Sequence, residues 1–168
     1  MNRRLQATVI LGLATAVTVT AGCGGSNFIG GPSVTTVAMS RSATVDVKRV
    51  PGFGNILVTG TGTTLYLLTS DPAGGSNCTG PCSLSWPPLE VSGRLKAGAG
   101  VDPSLLSSFG RGGGRQVLYD RHALYTFEED TGPGMVTGQG VETYGGTWWV
   151  VSPDGHAVTS THGAGSSS

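Results

Sequence analysis

Residues 115–130 read RQVLYDRHALYTFEED, and residues 55–71 read NILVTGTGTTLYLLTSD. Each is a run of β-branched, leucine and aromatic residues broken by turn-forming residues, the pattern of a β-hairpin. In the first stretch, residues 56–58 and 64–68 flank Thr59-Gly60-Thr61-Gly62, where glycine supplies the positive φ of a tight turn. In the second, residues 117–119 and 123–127 flank Asp120-Arg121-His122. Alternation along a strand sets Tyr125 and Phe127 on one face and Leu124 and Thr126 on the other.

The two stretches also share an order. Leu65-Tyr66 with Asp71 matches Leu124-Tyr125 with Asp130 at a constant offset of 59 residues. Each is followed by a glycine-rich loop and a tryptophan, Trp86 and Trp148, at an offset of 62. Shared order at nearly fixed spacing reads as a degenerate internal repeat, with copies at about 55–91 and 114–155, and two copies imply pseudo-symmetry rather than a solenoid. Residues 148–151 (WWVV) form a further strand, stopped by Ser152-Pro153-Asp154-Gly155, a strong turn. Asp102-Pro103 carries the N-cap and first-turn proline of a short helix between the copies. Residues 44–50 alternate as a first strand, although folding in earnest is expected only near Gly52. The fold class expected is therefore all-β: a small antiparallel domain of two hairpin-based repeats with a short helix between them.

The amino-terminal residues set the compartment. Arg3 and Arg4 precede an apolar or small, uncharged run from Leu5 to Thr20, and Thr20-Ala21-Gly22 leads into Cys23. This is the layout of an export signal. A cysteine directly after the small residues is the arrangement of bacterial lipoproteins, in which the thiol is lipidated and becomes the new N-terminus. The division expected is a signal over 1–22, a lipidated Cys23 with a flexible Gly/Ser/Thr tether to residue 43, a β domain over 44–155 and a disordered tail over 156–168.

Composition agrees with a turn-rich, exported domain. Glycine makes up 29 of 168 residues and only 12% are charged, against about 25% in an average protein. Ten basic residues balance ten acidic ones. Removal of Arg3 and Arg4 leaves eight against ten, a net of −2. That balance offers no electrostatic footprint for nucleic acid and no polybasic help toward a membrane, so attachment rests on the lipid.

Taken together, these residues resemble the predicted bacterial lipoproteins built from a secreted repeat of unknown function, marked by a Y-x-[FWY]-x-x-D motif. Tyr125-Thr126-Phe127-Glu128-Glu129-Asp130 matches the motif outright, and Tyr66-Leu67-Leu68-Thr69-Ser70-Asp71 matches with leucine in the aromatic position. The loop NCTGPC before WPPL (77–89) and the close GGTWWVVSPDG (145–155) are also similar to that family. The resemblance implies an exported, lipid-anchored domain of two repeats, with no activity and no catalytic residues to carry over.

Four constellations carry the chemistry to be weighed. Cys78 and Cys82 are an even pair in an oxidising compartment, so a small disulfide loop turned by Gly80-Pro81 is expected. The alternatives are a redox pair, or a soft-metal site completed by His122 or His156, for which the histidines lack ligand spacing. The recurring Tyr66/Asp71 and Tyr125/Asp130 read as architecture: the ring buries while the hydroxyl finds a partner, and the aspartate organises its own downstream turn. A ligand face formed by both motifs, with Trp86, Phe127 and Trp148, would require the copies to face each other. Glu128, Glu129 and Asp130 read as a solvated acidic edge, with weak cation binding as the rival, although the calcium-loop pattern is missing. Trp148 and Trp149 point to opposite faces, one into the core and one available to a sugar ring. No G-x-S-x-G elbow is present, and His162 lies in the tail.

The function expected is a non-enzymatic protein anchored to the membrane through its lipid, binding or scaffolding an envelope protein or glycan, with no cofactor and no nucleic acid. The rivals are a redox or copper-handling lipoprotein using Cys78 and Cys82, and a carbohydrate-contacting module.

Overall fold

A computed structural model describes residues 42–159. The export signal, Cys23, nearly all of the tether and His162 lie outside them. The described residues form an all-β domain with one short helix. Strand β1 (Ala43–Val50) pairs antiparallel with β2 (Gly54–Thr59) on one side and parallel with β5 (Leu95–Ala97) on the other. Strand β7 (Gly114–Tyr119) lies between β6 (Leu106–Arg111) and β4 (Glu90–Val91), and also pairs with β8 (His122–Ala123). Strand β10 (Gly146–Val150) lies between β3 (Tyr66–Leu68) and β9 (Glu142–Thr143). The helix, α1, is Pro81–Ser85.

The turns follow local chemistry. β6 reverses into β7 through Gly112 and Gly113, both at positive φ (52° and 88°), the requirement of a two-residue hairpin turn whose twist matches its strands. The β7–β8 turn makes the same demand of Asp120 and Arg121 (φ 44° and 67°). Asp is among the residues that tolerate this region; Arg is not.

Alternation divides the strands between two cores. Ile56, Val58, Tyr66, Leu68, Leu118, Tyr125, Trp148 and Val150 pack into one cluster with Trp86 and the two cysteines. Their strand neighbours Leu57, Leu65, Leu67, Val117, Tyr119, Leu124 and Val151 pack into the other. The central strands are thus covered on both faces, which explains the unbroken apolar run from Leu65 to Leu68, all of it buried.

Four sequence expectations change. The first strand is fully integrated: β1 begins at Ala43 and stands between β2 and β5, so folding starts well before Gly52. Residues 102–105 form a turn instead of a helix; Asp102 Oδ1 accepts from the Ser104 backbone N–H (2.8 Å) and hydroxyl (2.7 Å), and the chain then enters β6. An aspartate–proline start serves a turn as well as a helix. The helix lies instead at Pro81–Ser85, where Pro81 occupies its first turn. Finally, order continues past Gly155, because the turn at Ser152–Gly155 sends the chain back along β10: Ala157 bridges Val151, and the Val158 N–H donates to the Val150 carbonyl (2.9 Å).

Candidate functional site

The two Tyr–Asp motifs meet, and they meet crosswise. Tyr66 and Tyr125 exchange backbone hydrogen bonds, N–H to carbonyl at 2.9 Å and 3.0 Å, as an antiparallel bridge. The Tyr66 hydroxyl donates to Asp130 Oδ2 (2.7 Å), and the Tyr125 hydroxyl donates to Asp71 Oδ2 (2.5 Å). Each tyrosine therefore reaches the aspartate of the other motif. The second oxygen of each carboxylate holds its own downstream loop: Asp71 Oδ1 accepts from the Asn77 N–H (2.7 Å), and Asp130 Oδ1 accepts from the Thr137 N–H (2.9 Å) and hydroxyl (2.5 Å).

Flanking backbone bonds keep the same correspondence. The Thr69 N–H donates to Thr147 (3.1 Å), and the Glu128 N–H donates to Ser85 (3.0 Å), donors 59 and acceptors 62 residues apart. Trp86 and Trp148 stack face to face, with centroids 3.9 Å apart and planes within 1°. Tyr66 packs edge-on against Trp86 at 5.3 Å, and Tyr125 against Trp148 at 5.1 Å. Phe127 stacks on Trp86 at 4.1 Å. Gly138 passes so close to the stack that a Cβ there would lie 2.6 Å from Trp86 Cη2.

The two crossed pairs differ in their surroundings. Asp130 is buried at 8% exposure, so the acidic run is split: Glu128 and Glu129 are exposed, but Asp130 turns inward to its tyrosine. Burial pushes the Tyr66 hydroxyl far above the ordinary phenol range, and the Asp130 carboxylate adds to it. Tyr125 is raised by burial first and by its bond to Asp71 second. Burial also raises the Asp71 carboxyl, partly offset by the bonds from Tyr125 and the Asn77 N–H and by Arg111.

Around Asp71 lies a polar cluster that sequence reasoning missed. Ser76 Oγ sits 2.5 Å from the Tyr125 oxygen. The tyrosine's single proton goes to Asp71, so the serine donates at that contact. Arg111 donates to Ser76 (2.7 Å), to Gln116 Oε1 (2.5 Å), to Ser83 Oγ (2.9 Å) and to the Cys78 carbonyl. Gln116, fully buried, passes its amide to the Leu124 carbonyl (3.0 Å). Nothing in the spacing of Ser76, Arg111 and Gln116 marks them, because they come from a loop and from either side of a glycine turn.

Cys78 and Cys82 form a disulfide across a Cα–Cα distance of 5.2 Å, with both residues buried. It closes the loop that carries α1 and delivers Trp86 to the core, where the Trp86 N–H bonds the Cys82 carbonyl. His122 is in β8, paired with Tyr119, and His156 is exposed in the closing turn. Among the described residues, no group of three or more His, Cys, Asp or Glu side chains is placed to hold a metal ion. Trp148 is fully buried, and Trp149 is half-buried against the second core. Among the described residues, no helix is long and apolar enough to cross a membrane.

Residues 110–152, which contain Tyr125, Phe127, Asp130 and Trp148, match the family described as a secreted repeat of unknown function. No curated protein and no solved structure matches the chain.

Proposed function

We propose that this chain is an exported, lipid-anchored protein of the cell envelope, and that its β domain binds or scaffolds a partner at the membrane surface without catalysing a reaction. The observation that carries the reading is the match of residues 110–152 to a secreted repeat, downstream of an apolar leader that ends in Thr20-Ala21-Gly22-Cys23. The four polar side chains of the Tyr–Asp motifs serve the architecture of the domain. Tyr66, Asp71, Tyr125 and Asp130 satisfy one another and their adjoining loops, so recognition falls to the outer surface.

Expression with an alkyne analogue of palmitate, followed by detergent phase separation, tests the anchor. The wild-type chain is expected to incorporate the label and enter the detergent phase, and Cys23→Ala to do neither. An unlabelled wild-type chain in the aqueous phase would contradict the anchor. Capture of a reproducible partner from envelope extracts by the lipidated protein tests the binding role, and failure to retain any component would contradict it.

A further inference from the structure

We propose that the groove between Phe127 and the β9–β10 turn is a binding site for an organic cation bearing an alkylated ammonium group. The proposal deepens the binding role above and rests on it, but it does not depend on the lipid anchor.

The groove encloses about 310 Å³, at the small end of the range for sites that hold a small molecule. Phe127, Val141 and Tyr144 contribute its apolar lining, backed by the buried Trp86, whose two faces are covered by Phe127 and Trp148, and Glu128 and Glu129 form its acidic edge. Phe127 is half-buried and stacks on Trp86, so the ring is held rigidly by the three-ring stack that ends at Trp148. Neither glutamate forms an ion pair with a Lys or Arg among the described residues, and no basic side chain lines the groove. Aromatic faces attract cations through their quadrupole, and attract best where the cation is partly desolvated. Two unpaired carboxylates beside such faces select a positive charge, while the apolar lining suits alkyl groups in place of the water shell of a metal ion.

One of the two large exposed apolar side chains stands at the same place. Among the described residues, the large hydrophobic side chains most exposed to solvent are Leu84 and Tyr144. Tyr144 lines the groove, and Leu84 belongs to α1 outside its lining. Tyr144 stands at φ 55°, followed by Gly145 at 81°, in the two-residue turn between β9 and β10. Such turns favour Asn, Asp or Gly at both central positions, and a bulky side chain there is costly. An aromatic ring is thus held against backbone preference, with 47% of its surface exposed, at the mouth of a groove that can use it.

Choline is the probe, and 3,3-dimethylbutan-1-ol, of the same shape without the charge, is the control. Each is titrated into the mature full-length protein in detergent, followed by calorimetry and by tryptophan fluorescence. Choline is expected to bind saturably, at least about tenfold tighter than the neutral alcohol, a difference read directly as a ratio of dissociation constants. Glu128→Gln with Glu129→Gln should erase that preference. Tyr144→Gly should weaken choline binding while leaving the melting temperature unchanged or raising it, which separates loss of the site from loss of the fold. Equal affinity for the alcohol, or no choline binding up to about 10 mM, would overturn the site. If an envelope partner is nevertheless captured, the site falls and the binding role stands.

Discussion

Tyr66 and Tyr125 are bridged to each other through the backbone, and each donates its hydroxyl to the aspartate of the other's motif. The Tyr–Asp motif is therefore a clasp between two segments 59 residues apart. Each half supplies the donor for one pair and the acceptor for the other, so neither tyrosine is satisfied by its own motif.

The two pairs should not contribute equally. Tyr66→Phe leaves a buried Asp130 oxygen without its partner, a loss of about 1–3 kcal/mol. Tyr125→Phe leaves Asp71 in a half-exposed setting with Ser76 and Arg111 nearby, where water can replace the lost donor. Urea unfolding should therefore show Tyr66→Phe to be the more destabilising of the two.

Alkali should destabilise the domain progressively from about pH 10. Both tyrosines hold their protons above the ordinary phenol range in the folded state. The unfolded chain releases them first, so the stabilisation is full below pH 10 and is lost as pH rises beyond it. The expected slope is about 1.4 kcal/mol per pH unit for each tyrosine. Absorbance at tyrosinate wavelengths should rise together with unfolding, and Tyr66→Phe should flatten the slope.

Reduction of the disulfide should loosen the domain modestly. The bridge spans four residues in sequence, and a loop that short removes little chain entropy, giving about 2 kcal/mol at most. Thiol titration of the unreduced protein should find Cys78 and Cys82 blocked. Cys78→Ser should lower the melting temperature without abolishing partner capture.

Gly138→Ala should be more damaging than the addition of one methyl group suggests. The new carbon would lie 2.6 Å and 2.9 Å from Trp86 ring atoms and 3.1 Å from Phe127. A rigid ring stack cannot give way as a flexible side chain does, so overpacking of about 1–3 kcal/mol is expected. Thermal unfolding followed by tryptophan fluorescence measures it.

Much of this was legible in the sequence because it depends on local period and spacing. Alternation correctly separated Tyr125 from Leu124 and Trp148 from Trp149, since a strand with both faces covered sends neighbours into different cores. The even cysteine pair foretold its bridge. The crossing of the Tyr–Asp pairs was not legible, because order along the chain says which residues recur and not which recurrence touches which. The hairpin of β6 and β7 was hidden for a different reason: Asp102-Pro103 signals a turn and a helix start alike, and Leu105-Leu106 fits either. Arg111, Gln116 and Ser76 form their cluster only after that hairpin closes.

The most direct test of the clasp is a double-mutant cycle on Tyr66→Phe and Asp130→Asn, measured by equilibrium unfolding. A direct bond in a buried setting should appear as a coupling of about 0.5–3 kcal/mol, whereas the uncrossed combination Tyr66→Phe with Asp71→Asn should be close to additive. Additivity in the first cycle, or stronger coupling in the second, would contradict a clasp that runs between the two motifs.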